Sequence, residues 1–510
     1  MNLGGTLCAN SRRCVLASQQ SADGLFGLLQ VRAAPGSQQD LMHTAAGAAD
    51  SEAFIFLHDY YLNPVHELLA SFYMSPDANG VEPIPDAIEA NGLESGELFM
   101  AVPTRSSKTL VHVISASAQT MFQVSVDGVN LQVVEVDSTA VVPLSVPSVY
   151  VNVAQRVSFV VDWGTLTLPP NASAGAGVFF RASALAESYE LDPAGYVPPY
   201  HASFLVDPPP PLDLNFTAVF QFSPLAADGI TGAKLPDYAA NGSQGVAPVA
   251  PPIAAPPASS PYAGLSVSRR LDANLLDAVP VVPLEMPSGT DQLYLEVDFR
   301  KDSSTNLSHG HANGISHTSN AFGGLMPTLY WWTEYGTPSG TAAIHNPRVY
   351  TRSASRPFGY ADAGAPLPKN PIPFTDEAHY LLPPGAVVVM LINNTDVAEL
   401  PFYLHGHTVW VLSTSARPAE SRARAQAGTI MRRDTVTVPG RGWAKLVFVA
   451  ENPGIWAAYS PNEWLYASGE SIKTNPEPHP RRRTLIVNFD MPRQPAQPNH
   501  NPRRHHGRVV

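Results

Sequence analysis

Short apolar runs separated by polar turns recur along two long stretches of the chain. Within each run, apolar and polar residues often alternate, which is the period of a half-buried β-strand. The first stretch runs from Ile88 to Trp163 and the second from Gln292 to Asn452. The clearest runs are TLVHVISAS, MFQVSVDG, LQVVEVDS, YVNVAQRVSFVVDW, QLYLEVDFR, AVVVMLINN, HTVWVLSTS and AKLVFVAEN. Helical periodicity is scarce, with one short candidate at His66–Tyr73. The pattern predicts two β-sandwich domains.

The two stretches are separated by sequence that cannot build a core. DPPPPLD (207–213) and APVAPPIAAPPASSP (247–261) are rich in proline and poor in large side chains. Such composition is typical of an extended linker. About 35 residues at the start fit neither sandwich.

Composition and charge narrow the class of protein. The chain has 510 residues, of which 44% are hydrophobic and 50 are proline, and its net charge is -12. A negative net charge disfavours nucleic-acid binding. The basic residues at 481–483 and 503–508 are interpreted as part of a solvated tail. Cys8 and Cys14 give no disulfide framework for the main body. No apolar run is long enough to predict a membrane span.

Several ordered motifs resemble the multicopper oxidases, a family that includes laccases, ascorbate oxidases and fungal-type ferroxidases. The most specific are LPFYLHGHTVWVL, MRRDTVTVP, GWAKLVFVAENPGIW and WAAYSPNEWLYASGE, which follow one another through 400–470 in family order. IPDAIEANG and VNVAQRVSFVVDW match the family's middle domain. The resemblance implies an all-β chain of tandem cupredoxin-like (plastocyanin-like) Greek-key sandwiches. It also implies a copper-dependent oxidoreductase that is secreted or extracellular.

The resemblance sets the expected domain boundaries. We expect a remnant of a first cupredoxin domain at 1–35, a second domain at 50–205 and a proline-rich linker at 206–270. A third domain is expected at 271–490, followed by a basic tail at 491–510. N-x-S/T sequons at Asn171, Asn215, Asn241, Asn306 and Asn393 agree with secretion, as a glycoprotein.

The family's copper sites depend on particular side chains. A blue site uses one Cys thiolate and two His, and a three-copper cluster is held by eight His. Aligned on the family's HPFHLHGH motif, the first ligand, which belongs to the blue site, falls on Leu400. The second, which belongs to the three-copper cluster, falls on Tyr403. The third falls on His405, which is retained, and His407 matches a His that is not normally a ligand.

The later motifs also lack their ligands. The family's HCH positions fall on Tyr459, Ser460 and Pro461, and the His five residues beyond the Cys falls on Leu465. Glu463, Trp464 and Gly469 stay in register, so the alignment has not slipped. Near the start, the two ligands of an HSH motif fall on Asn10 and Arg12. We therefore expect that the full copper complement is not bound.

Other polar residues have two interpretations each. Glu82 matches an acidic residue at the iron approach of fungal-type ferroxidases, or is a surface-loop Glu before a proline. His309, His311 and His317 could bind a divalent metal or nothing. His405 and His407 are predicted on one face of a strand, as a weak metal site or a packed or solvated pair. Pairing of Arg432 and Arg433 with Asp434 is predicted to fix a loop, and Arg156 after Gln155 to act similarly.

Three hypotheses about function follow. The first is a copper-free pseudoenzyme that binds a protein or cell-wall partner. The second is an active copper oxidase of phenols or ferrous iron. The third is a truncated product without function, because a cupredoxin domain reduced to its last strands would leave open sheet edges.

Overall fold

The structure is a computed structural model that describes part of the chain. The described residues are 5–8, 21–31, 49–69, 73, 82–104, 106–166, 178–185, 188, 214–222, 278, 292–301, 308–312, 379–381, 385–394, 398–416, 430–452, 454–467 and 487–491.

A two-stranded antiparallel sheet comes first in the chain. It consists of β1 (Gly5–Cys8) and β2 (Leu28–Val31). Phe26, just before β2, and Gln30, within β2, contact the next unit: the Phe26 ring is 6.0 Å from the Phe56 ring, and the Gln30 amide donates to Glu52. The expected remnant at 1–35 thus contributes a short sheet and a segment that packs on its neighbour.

The first sandwich has a six-stranded sheet ordered β4-β3-β6-β11-β8-β9 and a five-stranded sheet ordered β10-β7-β12-β13-β5. The strands are β3 (Ser51–Tyr60), β4 (Ala87–Ala90), β5 (Phe99–Val102), β6 (Lys108–Ser115), β7 (Phe122–Val126), β8 (Leu131–Val136), β9 (Thr139–Val146), β10 (Val149–Val151), β11 (Arg156–Asp162), β12 (Val178–Ala184) and β13 (Asn215–Phe222).

The core of the first sandwich forms because alternate residues of both sheets point inward. Val111 and Phe159 from one sheet are buried in the same cluster as Phe122 and Phe180 from the other. A one-turn helix, α1 (Val65–Leu68), follows β3 and coincides with the start of the helix predicted at His66–Tyr73. Residues 70–72 lie outside the described residues.

One boundary prediction was wrong. Residues 206–270 were expected to be linker, yet β13 (Asn215–Phe222) lies inside that range and pairs with β12 and β5. Its alternate residues Phe216, Ala218 and Phe220 are fully buried in the core. The proline-rich flanks hid a strand whose apolar alternation is regular.

The second sandwich has sheets ordered β15-β14-β17-β22-β19-β20 and β16-β24-β23-β18-β21. The elements are β14 (Gln292–Lys301), β15 (Ser308–Ala312), β16 (His379–Leu381), β17 (Val387–Asn394), β18 (Leu400–Leu404), β19 (Val409–Thr414), β20 (Arg432–Arg433), β21 (Thr435–Val438), β22 (Gly442–Val449), β23 (Gly454–Tyr459), helix α2 (Glu463–Ala467) and β24 (Val487–Met491). Met390, Phe402 and Leu446 are buried in its core.

The strands expected from apolar alternation, from TLVHVISAS to AKLVFVAEN, are present as β6, β7, β8, β11, β14, β17, β19 and β22. The all-β prediction is confirmed.

Candidate metal centre

The first two of the expected ligand positions lie on β18, a strand in the second sandwich. Leu400 is buried in the apolar core and lies opposite Val438 of β21. Tyr403 is also buried, lies opposite Tyr459 of β23, and its ring meets the Tyr459 ring edge-on at 5.5 Å. The β18–β23 pairing therefore brings together two residues that the sequence placed at separate ligand positions.

The prediction that His405 and His407 share one strand face was wrong. β18 ends at Leu404, and the chain turns at Gly406, whose φ is +72°. His405 Nδ1 is 3.0 Å from the Tyr403 hydroxyl, and the His405 ring lies 5.6 Å from Trp456. That hydrogen bond occupies one of the two ring nitrogens that a metal could use.

His407 sits on the other side of the same turn. Its Nδ1 donates to the His405 carbonyl at 3.1 Å, and its ring packs edge-on against Trp456 at 5.8 Å. Burial lowers the pKa of His407, so the neutral form is favoured. Its Nε2 has no hydrogen-bond partner within the described part of the chain. The two histidines are thus packed around one indole and stand in different local environments.

The remaining positions follow β23 and lead into α2. Ser460 is buried and its hydroxyl accepts a long hydrogen bond of 3.4 Å from the Asn462 backbone. Pro461 is buried beside it. Asn462 caps α2, because its side-chain oxygen accepts from the backbone of Trp464 and Leu465. This cap turns Leu465 toward the sandwich, where it packs against the core that contains Leu400.

These residues do not fit copper. Leu400, Pro461 and Leu465 have no side-chain donor atom, and Ser460 offers a hydroxyl in place of a soft thiolate. Across the described residues, no group of three or more His, Cys, Asp or Glu side chains is placed to hold a metal ion. Asn10 and Arg12 lie outside the described residues, so that part of the ligand prediction stays a prediction.

Glu82 is not a surface residue. It is 9% exposed, which contradicts the simpler of its two interpretations. The next residue, Pro83, accepts hydrogen bonds from Tyr61 and Gln119. Tyr61 in turn accepts from the Trp464 indole at 3.2 Å, so Glu82 borders the contact between the two sandwiches. Its role in iron binding stays a prediction.

The candidate histidine loop is only partly described. His309 and His311 lie on β15, where they pair in register with Arg300 and Asp298 of β14. His317 lies outside the described residues, and a metal site there stays a prediction.

The arginines of MRRDTVTVP do not close a local loop, so that prediction was wrong. Arg433 donates to Asp137 of the first sandwich at 2.7 Å. Asp434 accepts two hydrogen bonds from Arg156, at 2.8 and 2.6 Å. Arg432 instead stacks on the Trp410 ring at 4.7 Å. The two arginine–aspartate pairs join residues more than 270 positions apart in sequence, which is why local reasoning missed them.

A Ser–His–Glu hydrogen-bond chain in the first sandwich was also missed from the sequence. His112 Nδ1 is 2.8 Å from Ser158 Oγ, and its Nε2 is 3.0 Å from Glu52. Cross-strand register brings these together, since Ser158 lies directly opposite His112. Ser158 is 2% exposed in mid-strand, so a substrate cannot reach it, and the hydrogen-bond chain is structural.

Two family models identify the chain. Both are described as multicopper oxidase, and they match residues 51–165 and 346–478. These ranges fall in the first and second sandwiches, and the second contains every ligand position described above on β18, β23 and α2. The chain belongs to the multicopper oxidase family, and its sandwiches are cupredoxin-like.

The curated relatives include iron transport oxidases and laccases by name. The iron transport multicopper oxidase FET3 of Gibberella zeae is 23% identical over 430 residues, covering 82% of this chain and 54% of the relative. Laccase-1 of Botryotinia fuckeliana is 21% identical over 458 residues, covering 89% and 62%. The chain spans about half the length of the first of these relatives.

Solved structures agree on the fold. Fet3p, a multicopper oxidase that functions in iron import, superposes with a TM-score of 0.59 at 17% identity, covering 93% of this chain and 70% of that one. The laccase from Botrytis aclada gives 0.52 at 16% identity, covering 92% and 67%. No helix among the described residues is long and apolar enough to cross a membrane.

Proposed function

We propose that this chain is a multicopper oxidase family member that has lost oxidase activity and serves as a binding or structural scaffold. The observation that carries the proposal is the packing of Leu400 and Leu465. The resemblance puts a blue-copper histidine at Leu400 and a further histidine at Leu465, and both leucines pack in one apolar core. Apolar side chains that fill a former metal site stabilise the fold, because buried polar ligands without their metal are costly.

Electron transfer by the family's route also needs a thiolate. Ser460 stands at the position of the cysteine ligand, and its hydroxyl is buried and hydrogen-bonded to the backbone. A serine hydroxyl does not ionise at neutral pH and is a hard donor, so it does not favour Cu(I). Tyr403 and Tyr459 likewise replace imidazoles of the expected cluster and pack on each other.

The alternative is an active copper oxidase of ferrous iron or phenols. Membership of the family favours it, as do relatives named as iron transport oxidases and laccases. The buried position of Glu82 beside the contact of the two sandwiches is also compatible with an acidic residue near a metal path. Copper is the cofactor this alternative requires.

An extracellular setting and a protein or cell-wall partner complete the proposal. Two sequon asparagines are described: Asn215 is exposed at the start of β13, and Asn393 is half-buried in β17, between β14 and β22. Asn215 is therefore the better placed of these two to carry a glycan. Mass spectrometry of glycopeptides from secreted protein tests this part.

Restoring the missing ligands tests the proposal on the protein itself. The purified chain and the triple variant L400H/S460C/L465H are reconstituted with Cu(I) under reducing conditions and then exposed to air. We expect a blue absorption band in the triple variant and none in the unaltered chain or in the S460C control. All three proteins are assayed for oxidation of a phenol and of ferrous iron. Turnover by the unaltered chain supports the oxidase alternative and contradicts the proposal.

A further inference from the structure

Two buried residues from different sandwiches form an ion pair. Asp137 lies in the turn between β8 and β9, and Arg433 forms the end of β20; the side chains of both are fully buried. Arg433 Nε donates to Asp137 Oδ2 at 2.7 Å. An arginine buried this deeply is tolerated only when a nearby opposite charge balances its own.

The backbone of the turn and its hydrogen bonds fix the position of the Asp137 carboxylate. Asp137 and Ser138 have φ of 45° and 67°, the left-handed pair of a tight hairpin turn. The Arg156 backbone N–H donates to Asp137 Oδ1 at 2.8 Å, and the Asp137 N–H donates back to the Arg156 carbonyl at 3.0 Å. The carboxylate is thus held by contacts within the first sandwich, and the second sandwich adds its arginine.

A second ion pair between the two sandwiches lies beside the first. Arg156 reaches out of the first sandwich and binds both oxygens of Asp434, at 2.8 and 2.6 Å. The Arg156 guanidinium is also 3.8 Å from Asp137. Two arginines and two aspartates therefore make a neutral cluster in which each sandwich supplies one of each sign. Bidentate geometry of this kind is among the strongest hydrogen-bonded ion pairs in proteins.

Neutral contacts from the same short segment surround the charges. Thr437 of β21 accepts from the side chains of Asn152 and Gln155 of the first sandwich, at 3.2 and 3.0 Å. Met431, two residues before Arg433, is buried in the core of the first sandwich. One short stretch of the second sandwich, 430–438, thus holds apolar, polar and charged contacts to the first.

We propose that the Asp137–Arg433 and Arg156–Asp434 ion pairs couple the two sandwiches, so that both unfold in a single cooperative transition. Removal of one charge leaves its partner buried and unpaired. The 3.8 Å approach of Arg156 to Asp137 links the two pairs, so the loss of one weakens the other. None of these four residues is an expected metal ligand. The coupling goes beyond the scaffold function proposed above and holds whether or not the chain binds copper.

The test compares a cross-sandwich carboxylate with one inside a single sandwich. Asp137→Asn keeps the shape of the side chain and removes its charge. Asp127→Asn is the matched control, because Arg181 binds Asp127 through two hydrogen bonds of 2.8 Å within the first sandwich. Hydrogen exchange with mass spectrometry monitors the unfolding in urea. Peptides from 106–166 report the first sandwich, and peptides from 430–452 report the second.

In the unaltered chain both sets of peptides are expected to lose protection at one urea midpoint. Asp127→Asn lowers that midpoint for both sets together, whereas Asp137→Asn separates them into two midpoints. Should Asp137→Asn not fold, Asp434→Asn at the edge of the cluster serves instead, with the same expected separation. Two midpoints in the unaltered chain, or a common shift in the cross-sandwich variants, overturns the proposal.

Discussion

Gly406 is the position where a single methyl group should disturb the candidate site most. Its φ is +72°, in the left-handed region that favours glycine. A Cβ at this position would lie 2.5 Å from Cε3 of Trp456 and 2.7 Å from Cδ2 and Cζ3. Trp456 has little room to retreat, because its indole N–H donates to the Asn452 carbonyl at 2.7 Å and His405 and His407 pack against the ring.

The loss of stability for Gly406→Ala has two parts. A non-glycine residue in the left-handed region costs about 1–2 kcal/mol. Overpacking against the indole adds about 1–3 kcal/mol. Gly385→Ala is the matched control in the same sandwich, because its φ is +78° and nothing lies within 4 Å of the place its new methyl group would occupy. It should lose only the conformational part, about 1–2 kcal/mol.

The measurement is urea unfolding of both variants, of Trp456→Leu and of the double variant Gly406→Ala/Trp456→Leu. The double variant should be less destabilised than the sum of its single changes, because the leucine no longer meets the new methyl group. Equal losses for Gly406→Ala and Gly385→Ala, or strict additivity with Trp456→Leu, would refute the packing of the turn against the indole.

Three further predictions follow from buried contacts. Leu400→Ala removes a buried core side chain and should lower the free energy of unfolding in urea by about 2–5 kcal/mol. Leu465 is half-buried, so Leu465→Ala should lower it by less, and the reverse order would contradict the packing of these two leucines. Trp464→Phe and Tyr61→Phe each break the 3.2 Å hydrogen bond between the sandwiches, and a double-mutant cycle should give a coupling of about 1 kcal/mol rather than zero. Asp59→Ala leaves three backbone N–H groups, of Ala118, Gln119 and Thr120, without their acceptor and should cost at least about 3 kcal/mol by calorimetry; a loss below about 1 kcal/mol would contradict this.

Much of the fold could be predicted because apolar alternation marks strands directly. β7 (Phe122–Val126) alternates buried and half-buried residues in step with its sequence, FQVSV. β13 was missed because eight residues of regular alternation stood between proline-rich segments. The strand predicted through His405 and His407 failed at Gly406, whose backbone turns where the surrounding apolar pattern continues.

The candidate site was harder to predict because its contacts cross large separations in sequence. Motif order placed Leu400 and Leu465 at ligand positions, but only the fold brings both to one core. The Tyr403–Tyr459 contact depends on the pairing of β18 with β23, and the Asp137–Arg433 pair joins residues 296 positions apart. No local pattern encodes such register or the burial of Glu82.

Copper content tests the central claim most directly. The purified chain is reconstituted with Cu(I) under reducing conditions, dialysed in air, and its copper per chain is measured by mass spectrometry while circular dichroism confirms the β fold. The account predicts a folded protein with copper far below one ion per chain and no blue absorption band. Near-stoichiometric copper with a blue band would contradict it, and would mean that Ser460 and Leu465 do not stand at the ligand positions.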